Sequence, residues 1–187
     1  MAGVIENPVT GERIVIRTTG DETGGRLLVW ELFLAPGGRV PSGHVHPEQE
    51  ECFHVVAGRM RFRMGRRSVV AGPGEVVRVR PGTPHSFVNA GDETAHAVVE
   101  TRPAMRMQAL LETAATLSTR GRKPRRLPNA FDLVLFMREF EREVAAPYVP
   151  RRLVNAAVRP LAWLARICGL DARYQGSRGH GTDGALP

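Results

Sequence analysis

Cysteine and tyrosine are scarce in this sequence, which has two of each among 187 residues. Cys52 and Cys168 are far apart and form no metal-ligand spacing, which argues against a thiolate metal site. A protein without a disulfide framework is most simply placed in a reducing compartment. We therefore expect a cytoplasmic protein.

Long apolar runs are also missing. The longest candidate, Leu161–Leu170, contains Arg166 and is too short to span a bilayer. Residues 1–13 lack the basic start and apolar stretch of a secretory signal. These absences predict a soluble chain.

Lysine is nearly absent, since Lys123 is the only one among 26 basic residues. The net charge of +7 is concentrated in the second half. Residues 1–101 carry 11 Arg against 12 acidic residues, whereas residues 102–187 carry 15 basic against 7 acidic residues. We attribute the arginine excess to codon bias, because arginine spread along a chain does not outline a nucleic-acid groove. No nucleic-acid partner is predicted.

The first half has the pattern of an all-β fold. Short alternating or β-branched runs are separated by glycine and proline turns, which is typical of a sandwich or barrel. The predicted strands are Arg13–Arg17, Arg26–Ala35, Glu51–Ala57, Arg59–Met64, Val76–Val79, His85–Val88 and Thr94–Thr101.

The second half has helical spacing. Helices are predicted at Met105–Ser118, Ala130–Val144 and Pro150–Leu170, with Asn129 as a plausible N-cap of the second. We divide the chain into a β unit at 1–103, a helical extension at 104–173 and a disordered tail at 174–187. The basic extension could pack on the barrel, close over its mouth as a lid, or contact an anionic membrane surface; packing is the simplest hypothesis.

Three histidines and a glutamate form the strongest chemical pattern. His44 and His46 are two residues apart, so their side chains share a face of an extended segment. Glu51 opens the next predicted strand, and His85 opens a later strand after a Pro-Gly turn. A lone His-x-His pair is more often a surface feature, but these four together form a mixed N/O shell for one divalent transition metal: Fe, Mn, Ni, Co, Cu or Zn.

The two segments resemble the paired motifs of the cupin superfamily. Gly38, His44, His46, Glu51 and Gly58 match the first motif, Gly-x5-His-x-His-x4-Glu-x6-Gly. The second motif is matched by Gly74, Gly82, His85 and Asn89, although Arg80 stands where proline is expected and Pro81 follows it. The resemblance covers about half of the chain. It implies a double-stranded β-helix (jelly-roll) barrel with His44, His46, Glu51 and His85 as metal ligands.

The resemblance also limits the activities to consider. Similar cupins with the complete ligand set are often dioxygenases of small aromatic or oxygen-rich compounds, and others are isomerases, cyclases or decarboxylases. The His–Tyr pair of metal-free sugar epimerases is missing, because Tyr148 and Tyr174 lie outside the barrel region. An oxygenase of a small aromatic or polyketide-like molecule, serving secondary metabolism, is the first hypothesis; a non-redox isomerase or cyclase and a binding module without turnover are the alternatives.

Positions in the sequence also suggest roles for a catalytic residue, for pocket residues and for the remaining histidines of the barrel. Glu51 is the ligand best able to move aside and accept a substrate proton, so it is the candidate catalytic residue. The candidate pocket residues are Trp30, Phe53, Phe62 and Phe87, which are core residues by default. His54 and His96 are interpreted as structural. Open sheet edges predict a homodimer, with Val4–Arg17 as the segment that pairs across.

Overall fold

A computed structural model describes residues 3–40, 43–119 and 130–147. Nine strands and two α-helices lie in these ranges. The strands are β1 (Val4–Asn7), β2 (Glu12–Thr18), β3 (Leu28–Leu34), β4 (Glu50–Ala57), β5 (Met60–Met64), β6 (Arg67–Ala71), β7 (Val76–Val79), β8 (His85–Asn89) and β9 (Ala95–Arg102), and the helices are α1 (Met107–Thr119) and α2 (Ala130–Glu139). The prediction of an all-β unit followed by a helical extension is confirmed.

The strands form two antiparallel sheets. The larger has the order β1-β2-β3-β9-β4-β7 and the smaller has the order β6-β5-β8. Strand β3 has a strict alternation in burial, with Leu28, Trp30, Leu32 and Leu34 buried. Because side chains alternate across a strand, this row faces the other sheet. The apolar core therefore lies between the two sheets.

The hairpin between β4 and β5 depends on Gly58. Its φ of 72° lies in the left-handed region, which favours glycine. A Cβ placed there would lie 2.7 Å from the Cα of Ala95, so a larger residue has no room. This explains in physical terms why the last glycine of the first motif stands at this position.

Two strands, β6 and β1, are not among those predicted from the sequence. In β6 the first four residues are exposed and only Ala71 is buried, so the strand has no alternation to detect. Strand β1 is short and pairs with β2 within the same chain. Because β2 is in turn paired with β3, only the outer edge of β1 remains for the predicted pairing of Val4–Arg17 with a partner.

The helical predictions need correction. Helix α1 begins at Met107, and α2 ends at Glu139 instead of continuing to Val144. Phe140 and Val144 are nevertheless buried, while Leu133 on α2 is 49% exposed.

Several sequence-based assignments fall outside the described residues. They are the Asn129 cap, the helix Pro150–Leu170 and the tail at 174–187. No helix in the described ranges has the length and hydropathy needed to cross a bilayer.

Candidate metal centre

The four predicted ligands come together in the structure. Donor atoms of His44, His46, Glu51 and His85 all lie within 4.8 Å of one another, and all but His44 are buried. Glu51 Oε2 is 3.4 Å from His46 Nε2 and 3.2 Å from His85 Nε2. Three nitrogens and one carboxylate oxygen at such separations fit a single transition-metal ion.

Strand pairing holds the donors in place. Glu51 lies on β4 opposite Thr101 of β9 and Val79 of β7, at the end of the larger sheet. His44 and His85 exchange both backbone hydrogen bonds, each 2.9 Å long. The centre therefore joins the first motif to the start of β8 across the barrel mouth.

The Nδ1 atoms of two candidate ligands, His46 and His85, form hydrogen bonds. His85 Nδ1 lies 3.1 Å from the Thr83 carbonyl oxygen, and His46 Nδ1 lies 2.5 Å from the Glu143 carbonyl oxygen. A carbonyl only accepts, so Nδ1 carries the proton in both rings and Nε2 is the nitrogen that faces Glu51. This protonation pattern is the one a metal ligand needs.

The charges within the centre are strongly coupled. Burial by itself raises the pKa of Glu51, but His46 and His85 overcome this and hold the pKa well below its ordinary value. Burial lowers the pKa of His46, whereas the Glu51 carboxylate and the Glu143 carbonyl outweigh it and raise that pKa. An ionised Glu51 is suited to binding a cation.

The predicted pocket residues are buried side chains of the barrel core. Phe53, Phe62 and Phe87 form an aromatic cluster with centroid separations of 5.1, 5.3 and 6.0 Å. Phe53 and Phe87 follow Glu51 and His85 by two residues, so each is the next residue on the same face of its strand. Trp30 donates its indole N–H to Thr101 Oγ1 over 3.1 Å.

The other two histidines of the barrel lie outside the centre. His54 Nε2 is 3.5 Å from Cys52 Sγ. His96 stacks on Phe33 at a centroid separation of 4.3 Å. Neither belongs to the four-residue donor group.

The sequence-based assignments did not include Glu12, a half-buried acidic residue on the inner face of β2. Glu12 is paired with Leu34, whose side chain is fully buried, and directly opposed residues in an antiparallel pair share a face. Burial raises the pKa of Glu12 to about 7, a hydrogen bond from Thr10 opposes the shift, and the charge of Glu51 adds to it. Extending the predicted strand by one residue, to Glu12, would have placed this residue in the row of Ile14 and Ile16.

The match to a family model supports the predicted cupin barrel. Residues 30–100 match the model of the cupin domain family. A search of curated protein sequences gives no match. Among solved structures, a protein from Thermus thermophilus shares 26% identity over 42% of this chain and 74% of its own, with a TM-score of 0.40. A predicted oxalate decarboxylase from Thermotoga maritima shares 18% identity over 55% of this chain and 93% of its own, with a TM-score of 0.48.

Proposed function

From the premise that this chain belongs to the cupin superfamily through residues 30–100, we propose that it is a metal-dependent enzyme acting on a small organic molecule. The observation that carries the proposal is the convergence of His44, His46, Glu51 and His85 to within 4.8 Å. Three of these side chains are buried, and burying a carboxylate among imidazoles is costly unless they share a cation.

The residues present suit an enzyme better than a sealed structural site. His46 and His85 would hold the ion through Nε2, and Glu51 through its carboxylate. With four protein ligands, a five- or six-coordinate metal keeps one or two open positions and would supply Lewis acidity, orientation of a substrate or electron transfer there. Glu51 is the ligand that we assign to proton transfer. A carboxylate has two oxygens, so one could accept a proton while the other still holds the ion.

Oxidation by dioxygen is the reaction we propose first. The mixed nitrogen and oxygen donor set accepts redox-active ions such as iron, manganese and copper. The aromatic cluster of Phe53, Phe62 and Phe87 is buried, and two of its members lie two residues after candidate ligands. We assign this cluster, with Trp30, to the wall of the substrate site, which favours an aromatic or polyketide-like molecule.

The test begins with the metal. Protein purified without a histidine tag should contain one metal ion per chain by elemental analysis. A panel of small aromatic and oxygen-rich compounds is then incubated with the metal-loaded protein in air and under anaerobic conditions. Oxygen consumption coupled to loss of one compound supports an oxygenase; equal turnover without oxygen, or with zinc, contradicts it.

Glu12 favours a second candidate, a non-redox isomerase, cyclase or lyase. Such reactions move protons, and the most effective acid or base has a pKa near the working pH. The pKa of Glu12 is about 7, and this side chain shares the inner face with Ile14 and Ile16. Turnover that persists under anaerobic conditions and is lost in Glu12→Gln would support this candidate. Saturable binding of a compound without product in either atmosphere would instead indicate a binding module.

A further inference from the structure

The chain beyond the family-matched segment returns to the metal-binding loop. After α2, residues 140–147, here called the strap, run alongside His44-Val45-His46. Val45 and Ala145 form an antiparallel bridge with backbone hydrogen bonds of 3.0 and 2.8 Å, one in each direction. Pro147 lies 3.8 Å from the position of a Cβ on Gly43. The strap is therefore paired with the residue between two of the candidate ligands.

The strap also contacts a ligand directly. The Glu143 carbonyl oxygen lies 2.5 Å from His46 Nδ1, and both residues are about 4% exposed. Because the carbonyl is fixed by the bridge two residues later, it fixes both the orientation and the protonated nitrogen of the His46 ring. A partner of this kind raises the basicity of a histidine ligand and its affinity for metal.

Two further interactions anchor the strap. Arg142 forms a two-point ion pair with Glu48, at 3.1 and 2.6 Å, just beyond the His-x-His segment. On the other side, the Glu143 carboxylate accepts the backbone N–H of Arg106, whose guanidinium is paired with Glu139 at 2.8 Å. The strap thus connects the metal-binding loop to the start of α1 and the end of α2.

We propose that the strap is a positioning element of the metal centre, acting through the Glu143 carbonyl on His46 and through the Val45–Ala145 bridge on the loop. The inference rests on the proposed metal site and deepens it. It places part of the determinants of metal affinity outside the cupin domain, in a segment with none of the motif residues.

The first experiment removes one strap hydrogen bond. Ala145→Pro deletes the N–H that donates to Val45, whereas Ala145→Gly keeps it and serves as the matched control. Zn²⁺ affinity is measured by competition with a chelating dye, and the protonated nitrogen of His46 in the metal-free protein is read from ¹⁵N chemical shifts. We expect Ala145→Pro to weaken Zn²⁺ binding about 10- to 100-fold and to alter the His46 signals, with little change in Ala145→Gly.

If Ala145→Pro does not fold, a second set of variants tests the positioning role of the strap. Arg142→Glu opposes Glu48 with a like charge, and the exchanged pair Arg142→Glu with Glu48→Arg restores the attraction. An exposed ion pair contributes little, so a loss of affinity of up to about fivefold is expected for the single variant, with recovery in the double variant. Arg138→Glu, on the exposed side of α2, controls for the change in net charge.

The two proposals fail in different ways. If wild-type protein binds no Zn²⁺ stoichiometrically, the metal site itself is wrong. If wild-type protein binds Zn²⁺ and the folded strap variants keep both its affinity and the His46 signals, only the positioning role is overturned.

Discussion

His46 is the ligand whose surroundings are best defined, with Glu51 on one ring nitrogen and the Glu143 carbonyl on the other. Replacing it by alanine removes one donor and leaves Glu51 with one imidazole fewer. We therefore expect His46→Ala to lose stoichiometric metal while the barrel still folds. His54→Ala is the control, because His54 lies outside the donor group. Elemental analysis and far-ultraviolet circular dichroism provide the measurements, and retention of one metal per chain in His46→Ala would contradict the ligand assignment.

Glu12 should affect stability in a pH-dependent way. Its pKa is raised from the ordinary 4.5 to about 7, so the folded chain binds more protons than the unfolded chain between these values. Stability must then decrease as the pH rises through this window, by about 3 kcal/mol at most. Denaturation of metal-free protein with urea at pH 4.5 and pH 7.5 measures the effect. In Glu12→Gln this contribution disappears, whereas Glu6→Gln on exposed β1 serves as the control; equal pH dependence in wild type and Glu12→Gln would contradict the assignment.

At the scale of elements, the β4–β5 hairpin is limited by space as well as by backbone conformation. Gly58 and Gly65 both have positive φ, but only at Gly58 would a Cβ meet the backbone of Ala95. Gly65→Ala should cost about 1 kcal/mol, and Gly58→Ala about 2–4 kcal/mol, in the free energy of unfolding. Urea denaturation of the two variants measures the difference, and similar values would show that the contact with Ala95 relaxes without cost.

The elements also differ in how well their sequences predict them. Strand β3 alternates strictly, so its buried row from Leu28 to Leu34 follows from the pattern. Helix α2 has apolar spacing that continues to Val144, yet it ends at Glu139 because the chain turns to pair with Val45. Helical spacing of apolar residues indicates which side chains are buried. It does not distinguish a helix from a turn that buries the same residues.

For the molecule as a whole, the homodimer stays a prediction. Strand β1 is the edge of the larger sheet, and Val4 on it is 53% exposed. An open edge with apolar side chains is a ready surface for pairing. Light scattering at micromolar concentration should give twice the chain mass of 20.5 kDa. Val4→Asp should shift the equilibrium toward monomer, whereas Val69→Asp on β6 should not; a wild-type monomer would contradict the prediction.

The tertiary structure also shows how the described part of the helical extension contacts the barrel. Of the three hypotheses for it, packing on the barrel applies to the described part, because Phe140 and Val144 join the core of buried residues. The strap adds a contact that none of the hypotheses contained, since its backbone pairs with Val45 between two candidate ligands.

The sequence by itself indicated seven of the nine described strands and the four candidate donors. Alternating apolar residues and turn residues mark the strands. The spacing of His44, His46, Glu51 and His85 within the two motifs can be read directly from the sequence. Only the tertiary structure brought in Glu12 and Glu143. Glu12 faces the interior because of its register with Leu34, and Glu143 acts through a carbonyl that every residue possesses. Neither pairing is encoded in side-chain type at a fixed spacing, so both become visible only when distant segments of the chain are folded against each other.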